Sequence, residues 1–277
     1  MGALWNSFKI AFSMYSKIPM PQSAWSKENM RYVMCFFPLV GMVSGALTIG
    51  WMALLPFLHL DGGGFGLGAA VFTLIPVAVT GGIHLDGFLD TSDALGSWQE
   101  PERRLEILKD SCAGAFAVIM GCVYFALSLG VYTTFQDVAL AIWRESSFGD
   151  MRILFQAACV YMISRSLSGL AIVTRPMAKN TGLAAAFSDG AQKRTVAVTM
   201  AFYLVVCCAA VLFFNPLPGA VSLLVGLAIY IYYGFMAKSK FGGVTGDLAG
   251  WFVQVVELGM LLALTVATLL IGGTGWN

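Results

Sequence analysis

Three aspartates that follow a histidine are the residues whose spacing points most directly to chemistry. Asp86, Asp90 and Asp93 are separated by four and three residues, which places their carboxylates on one face of a helix. Uncompensated carboxylates repel one another, and unpaired charge is costly where an apolar span meets the membrane surface. A divalent cation removes both problems, and oxygen ligands without cysteine suit Mg²⁺, or else Mn²⁺. The run therefore predicts a metal site, with a solvated acidic loop as the alternative.

Two neighbours of these aspartates have roles that the pattern leaves open. His84 could bind substrate, act as a base or only cap the preceding span. Gly87 has no side chain, and it would let a substrate approach the backbone closely.

A further acidic residue follows a short predicted helix. The run Ser97-Trp-Gln-Glu-Pro101 has the spacing of a capping box with proline in the first turn, which predicts a helix over 101–109. This helix returns the chain to Lys109 and Asp110 at the mouth of the next apolar span. We therefore predict Asp110 as a further metal ligand and Lys109 as a substrate-binding residue.

A glycine-rich loop precedes the last apolar span. The run Phe241-Gly-Gly-Val-Thr-Gly-Asp247 would expose backbone N–H groups at a helix N-terminus, an arrangement that suits a phosphate. Beside a metal site, Thr245 and Gly246 are predicted to bind substrate, and Asp247 to bind metal. A turn at Asn180-Thr-Gly-Leu183 is predicted near the same ligand.

Three charged residues lie within or at the ends of other spans. Glu257 lies inside the last apolar span, where a carboxylate is by default a candidate functional residue. Its alternative is a structural pair with Arg165 of the fourth span, and the pattern does not separate the two interpretations. Arg175 directly follows the fourth span and is predicted to bind phosphate, because a guanidinium contacts phosphate oxygens bidentately.

The elements that must position these residues are membrane helices. Of the 277 residues 58% are apolar and 11% charged, and the mean hydropathy is +0.78. We predict an all-α polytopic membrane bundle in a single domain over 1–277. Its residues 1–20 are predicted to form an interfacial amphipathic helix that Pro19 and Pro21 end. Seven spans are expected, at 33–58, 66–83, 112–135, 153–173, 196–214, 219–236 and 251–272.

Loop charge predicts the orientation of these spans. Lys and Arg number four before the first span, three in 84–111, four in 174–195 and two in 237–250, against two on the other side. The positive-inside rule then predicts that the N-terminus and all three candidate loops lie on the cytoplasmic side of the membrane. We expect this membrane to be the bacterial plasma membrane, also called the cell inner membrane. Net charge is +1, so nucleic-acid binding is not expected. We find no CxxC pair and no cleavable signal peptide.

The motifs together resemble one family, cobalamin-5′-phosphate synthase, also called adenosylcobinamide-GDP ribazoletransferase. The resemblance runs nearly end to end. The runs that carry it are Ser16-Lys-Ile-Pro19-Met-Pro21, Arg31, Phe37-Pro38 to Gly41, Gly81 to Asp93, Lys109-Asp110-Ser111 with Gly114, Ser164-Arg165, Arg175-Pro176, Gly182-Leu183-Ala184, and Gly242 to Asp247 with Gly250 and Glu257. The departures are Ala94-Leu95-Gly96, where the family has Gly-Leu-Gly, and 112–117, which lacks an aromatic-glycine ending.

The resemblance implies a Mg²⁺-dependent enzyme that joins adenosylcobinamide-GDP to α-ribazole or its 5′-phosphate and releases GMP in cobalamin biosynthesis. On the residues, we hypothesise that Asp86, Asp90, Asp93, Asp110 and Asp247 hold the metal. Asp93 is the predicted general base, with His84 competing. Lys109, Arg165 and Arg175 are candidates for phosphate contact, and Glu257 is a candidate substrate contact.

Two alternatives come from other classes. A CDP-alcohol phosphotransferase uses a similar run of aspartates, but its Ala-Arg element would fall where this chain has Leu89-Asp90. An ion-coupled transporter would use Asp86, Asp90 and Glu257 as cation sites, but most acidic residues here cluster at one interface. Membrane lipid is the expected surrounding, and a homo-oligomer is compatible with the sequence.

Overall fold

The computed structural model describes residues 2–62, 66–110, 112–146, 150–179 and 182–272. Helices dominate this part of the chain, and the described residues contain no β-strand; the single isolated bridge joins Met177 to Val244. The predicted all-α architecture is confirmed.

Twelve α-helices and one 3₁₀ turn follow one another in the described residues. They are α1 Gly2–Tyr15, α2 Lys27–Met30, the 3₁₀ turn Val33–Phe36, α3 Phe37–Leu54, α4 Leu67–Thr80, α5 Ile83–Gly96, α6 Pro101–Ile107, α7 Ala115–Glu145, α8 Arg152–Thr174, α9 Leu183–Gly190, α10 Lys193–Phe214, α11 Pro216–Phe241 and α12 Gly246–Gly272.

Six helical segments among the described residues are long and apolar enough to cross a membrane, so the chain is a multi-pass membrane protein. The predicted span 66–83 takes a different form. Its helix α4 has only 14 residues, which is roughly 21 Å and too short to cross alone. A bend of 95° separates α4 from α5, and the count reaches seven only if this pair is one span.

Two consecutive glycines make the bend between α4 and α5. Gly81 and Gly82 have φ of +64° and +84°, the left-handed region that glycine adopts without penalty. Gly81 ends α4, and its N–H donates to the Val77 carbonyl. The segment after α1 contacts the end of α4 at this bend, because the Lys17 N–H donates to the Val79 carbonyl at 2.8 Å. The bend turns the predicted aspartate run into a separate helix, α5.

Helix α5 packs against α12 and α7. Gly87 is buried, and the backbone of Asp247 occupies the space beside it. The sequence-based expectation that a substrate approaches the backbone at Gly87 is therefore wrong. The absence of a side chain serves close helix packing instead.

The remaining differences concern helix ends. Helix α1 ends at Tyr15, before the two prolines that were expected to end it. The capping box is wrong: Ser97 is the C-cap of α5, and its Oγ donates to the Ala94 carbonyl at 2.7 Å. Glu100 precedes α6 without a side-chain cap, and Pro101 does begin that helix.

Candidate active site

A cavity of about 430 Å³ lies where α1, α5, α8, α9 and the glycine-rich loop meet. Four charged residues from four separate segments line it, and we call the part of the cavity that they line its mouth. They are Asp86 of α5, Lys109 after α6, Lys179 after α8, and Asp247 at the start of α12. Asp86 and Lys109 are exposed, and Lys179 and Asp247 are half-buried. The structure thus brings the predicted aspartate run, the segment after α6 and the glycine-rich loop to one place.

The four aspartates of α5 and α12 form one electrostatic group. Asp86, Asp93 and Asp247 all act on Asp90 through their charges. Asp90 is half-buried, one helical turn from Asp86 on the same face of α5. A group of carboxylates this close attracts cations, and the metal site that the sequence pattern predicted stays a prediction.

Asp93 points toward the beginning of α7. Its Oδ1 accepts the Ala117 N–H at 3.3 Å, in the first turn of that helix. Gly114, the N-cap of α7, leaves the space that this carboxylate occupies, since a methyl group there would overlap it. Asp93 therefore caps a helix, and it is not among the described residues that line the cavity. Its metal-binding and general-base roles stay predictions.

Asp110 also makes a local contact. Its Oδ1 accepts the Cys112 N–H at 3.0 Å, closing a short turn before α7. The side chain is exposed and does not line the cavity, so a role as metal ligand stays a prediction. Its neighbour Ser111 lies outside the described residues, as do Asn180 and Thr181 of the turn predicted further along.

His84 lies in the wall of the cavity beneath Asp86. Its side chain is 4% exposed, and neither ring nitrogen has a hydrogen-bond partner among the described residues. The ring stacks on Tyr15, with centroids 6.3 Å apart, and meets the edge of Phe37 at 5.6 Å. It does not act as a cap for the preceding helix, whose C-cap is Gly81.

Lys179 lines the cavity, although the sequence analysis gave it no role beyond its place in the loop charge count. Two backbone hydrogen bonds hold its segment to the glycine-rich loop: Val244 N–H to Pro176 O at 2.9 Å and Ala178 N–H to Val244 O at 3.0 Å. The Lys179 ammonium donates to the Leu105 carbonyl at 2.5 Å. Burial, and then the charge of Lys109, lower the pKa of Lys179. This pairing joins distant segments, so no local sequence signal reveals it.

The glycine-rich loop ends at the N-terminus of α12, as predicted. Gly242 closes α11 in a left-handed conformation, with φ of +75°. The Thr245 hydroxyl accepts the Leu248 N–H at 3.2 Å and so caps α12. Thr245, Gly246 and Asp247 all line the cavity, which directs a helix N-terminus at its mouth. Phosphate binding there stays a prediction.

Arg175 packs against α11. Its guanidinium lies 4.4 Å from the ring centroid of Tyr230 and 5.5 Å from that of Tyr233. It also donates to the Tyr230 carbonyl at 3.3 Å, and Gly234 leaves room for it. The side chain is not part of the cavity lining, so contact with a phosphate stays a prediction.

Arg165 and Glu257 form a buried ion pair between α8 and α12. The Arg165 side chain is fully buried and also donates to the Tyr161 carbonyl at 2.9 Å, while the Ser164 hydroxyl donates to Glu257 Oε1 at 2.7 Å. Ser168, one turn along α8, lines the cavity. The pair thus has the geometry of the structural alternative, close beneath the cavity, and direct contact with substrate stays a prediction.

A family profile described as cobalamin-5-phosphate synthase matches residues 7–265. The chain belongs to this family. An adenosylcobinamide-GDP ribazoletransferase of Lachnoclostridium phytofermentans is 44% identical over 98% of this chain and 97% of its own length. Enzymes of the same name from Clostridium perfringens strain SM101 and Geobacillus kaustophilus are each 30% identical, over 96% and 92% of this chain and 100% and 93% of their own lengths. No solved structure matches.

The family match supports membership of the cobalamin-5-phosphate synthase family, and no match supports either alternative raised by the sequence, the CDP-alcohol phosphotransferase or the ion-coupled transporter. The family match and the cavity also agree on position. Several of the segments that carry the resemblance line the cavity, among them the start of α5, Lys109 and the loop that ends at Asp247.

The acidic side chains of this protein carry the type of ligand atom, carboxylate oxygen, that a magnesium ion prefers. Asp86, Asp90 and Asp247 supply hard oxygen atoms, and Mg²⁺ in proteins commonly combines one or two carboxylates with substrate phosphates and water. Among the described residues, no three His, Cys, Asp or Glu side chains converge closely enough to hold a metal unaided. Mg²⁺ binding therefore stays a prediction in which substrate oxygens complete the coordination.

Proposed function

We propose that this protein is an adenosylcobinamide-GDP ribazoletransferase that joins adenosylcobinamide-GDP to α-ribazole or its 5′-phosphate and releases GMP. The observation that carries the proposal is the match along nearly the whole chain, 44% identical over 98% of it to an enzyme of that name. The cavity supports it, because several of the motifs behind the resemblance line it and bring charges of both signs.

The reaction requires a crowded set of negative charges to be held together. A ribose hydroxyl attacks the phosphorus linked to cobinamide, the new P–O bond forms, and the anhydride bond to GMP breaks. GMP leaves with the bridging oxygen, and the hydroxyl proton passes to a base. Lys109 and Lys179 at the mouth would hold phosphate oxygens of the substrates. Most of the rate gain in such transfers comes from positioning and charge neutralisation.

A divalent metal held by one or two of the carboxylates Asp86, Asp90 and Asp247, together with substrate phosphate oxygens, would supply charge neutralisation at the diphosphate when bound. Without it, the carboxylates would repel the substrate, and the two lysines balance only part of that charge. We therefore propose that the enzyme depends on Mg²⁺, with Mn²⁺ as a substitute.

The general base is proposed from the two predicted candidates, Asp93 and His84. Asp93 has its carboxylate engaged by the Ala117 N–H, and His84 lies among aromatic rings beneath the mouth. Whichever residue is the base, the ribose hydroxyl proton has to reach a side chain that the charged residues of the mouth partly shield. Asp93→Asn and His84→Phe separate these roles, because only the variant that removes the base should lose about 100-fold in kcat.

We also propose that the cavity opens to the cytoplasm of a bacterial cell, with the N-terminus on the same side. The loop charge supports this orientation: 13 Lys and Arg residues lie in the N-terminal segment and the three candidate loops, against two in the loops predicted on the other side. Labelling of Lys193→Cys and Leu58→Cys variants from outside intact cells tests this orientation: only Leu58→Cys should react.

The direct test of function uses the full-length protein purified in detergent. Adenosylcobinamide-GDP, α-ribazole 5′-phosphate and MgCl₂ are supplied, and the corrinoid product and GMP are measured by mass spectrometry. Equimolar formation of both is expected. Hydrolysis of adenosylcobinamide-GDP without a joined product, or no consumption at all, would contradict the proposal.

A further inference from the structure

We propose that the cavity beneath the charged mouth binds the aromatic base of the ribazole substrate, with His84 donating a hydrogen bond to its ring nitrogen. This inference rests on the proposed function and assigns one substrate moiety to one part of the site. The adenosylcobinamide-GDP, on this account, stays at and above the mouth.

The deep wall of the cavity is aromatic. Tyr15 of α1, Phe37 of α3, His84 of α5 and Phe187 of α9 all line it. Tyr15 joins the other rings, with centroid distances of 4.4 Å to Phe37 and 5.7 Å to Phe187. Four separate helices thus present ring faces and edges to one space. Such a surface favours a flat aromatic ligand, because stacked and edge contacts each add to apolar burial.

The polar groups of this wall favour a ligand with few hydrogen-bonding atoms. Tyr15 already donates to Met34 Sδ, at 3.7 Å. Apart from the charged residues of the mouth and Thr245, which caps α12, Ser168 is the other polar side chain among the described lining residues. His84 alone is buried with both ring nitrogens unpartnered among the described residues, which is unfavourable until a ligand supplies a partner. α-Ribazole is a benzimidazole riboside, and its base has one free ring nitrogen, an acceptor, on an otherwise apolar ring.

Guanine is the competing aromatic base, and the wall suits it poorly. Its edge carries several donors and acceptors, and most would be buried here without partners. Size points the same way: 430 Å³ is within the range of roughly 300–1,000 Å³ typical of small-ligand pockets. A nucleoside fits such a volume, whereas a corrinoid with its amide side chains does not.

This placement also orients the reacting hydroxyl. With the base against Tyr15 and Phe187, the ribose lies at the mouth, where Lys109 and Lys179 face its phosphate. The ribose hydroxyl then stands near Asp86 and the incoming diphosphate. The new P–O bond forms there as the anhydride bond breaks toward GMP. His84 is thereby a specificity-determining residue, and of the two base candidates Asp93 is left to accept the hydroxyl proton.

Steady-state kinetics of the full-length enzyme test the inference. Phe187→Ala and His84→Phe should each raise KM for α-ribazole 5′-phosphate about tenfold, with KM for adenosylcobinamide-GDP unchanged. Phe213→Ala is the matched control, since Phe213 is 83% exposed on α10 and outside the cavity lining. Thermal unfolding of each variant in detergent identifies any loss of fold, and Phe187→Leu serves if Phe187→Ala unfolds.

Free dimethylbenzimidazole and dimethylindole are the binding probes. Dimethylbenzimidazole should compete with α-ribazole 5′-phosphate, and dimethylindole, which lacks the acceptor nitrogen, should compete about tenfold less well. In His84→Phe the two probes should become equal. Competition with adenosylcobinamide-GDP instead, or an unchanged KM for ribazole in both cavity variants, overturns the inference while leaving the proposed function intact. A wild-type enzyme that makes no joined product would instead remove the proposed function itself.

Discussion

Gly87 of α5 lies directly against Asp247 of α12: a methyl group at Gly87 would stand 2.7 Å from the Asp247 carbonyl oxygen. Gly250, one turn along α12, faces α5 in the same way, with its would-be methyl group 3.0 Å from the His84 carbonyl oxygen. The two glycines let the helix that carries Asp86 and Asp90 approach the helix that carries Asp247. The acidic side of the mouth depends on this approach.

Gly87→Ala should therefore separate α5 from α12. Overpacking of a tight interface typically costs about 1–3 kcal/mol, so we expect a lower unfolding temperature in detergent and a lower kcat. Gly130→Ala is the control, since nothing lies within 4 Å of Gly130 and alanine favours helix. Equal unfolding temperatures and equal activity in both variants would contradict the role of this contact.

Asp93 provides a test that separates capping from proton transfer. Asparagine keeps an oxygen that can accept the Ala117 N–H, whereas alanine does not. Asp93→Ala should lose about 1 kcal/mol of stability and Asp93→Asn little. If Asp93 is also the base, Asp93→Asn should lose about 100-fold in kcat despite its normal stability. Wild-type turnover by Asp93→Asn would leave the residue as a helix cap only.

The buried pair of Arg165 and Glu257 predicts a specific stability pattern. Replacing one partner leaves the other charge buried and unpaired, so Glu257→Leu should lose about 3–5 kcal/mol. Replacing both, as in Arg165→Met with Glu257→Leu, should restore much of that loss. Chemical unfolding measures both variants. A single variant with normal stability and lost substrate affinity would instead support direct substrate contact.

Much of this architecture is accessible from the sequence, because hydropathy and helical spacing are local properties. The long apolar runs became helices, and the aspartate spacing became one face of α5. The bend at Gly81 escaped prediction because an apolar run continues through it. The contacts of Asp93 with α7 and of Lys179 with the glycine-rich loop are long-range, so no spacing within either segment indicates them.

Lys179 should control affinity for the anionic substrate. Lys179→Met should raise KM for α-ribazole 5′-phosphate about tenfold, and Lys193→Met, an exposed lysine outside the cavity, should not. The pKa of Lys179 is lowered, and a lysine is charged only below its pKa. Affinity should therefore fall as pH rises through that lowered pKa, at a lower pH than for an ordinary lysine. A KM independent of Lys179 at every pH would contradict this role.

On the proposed mechanism, Asp86 and Asp247 at the mouth and Asp90, one helical turn along α5, act with Mg²⁺ to join ribazole to adenosylcobinamide-GDP. The most direct measurement is GMP release coupled to corrinoid product by wild type, Asp90→Asn and the control Asp189→Asn, with Asp189 exposed on α9. We predict Mg²⁺-dependent turnover by wild type and the control, and loss of at least about 100-fold in Asp90→Asn with unchanged unfolding temperature. Normal turnover by Asp90→Asn, or full activity in excess chelator, would contradict the account.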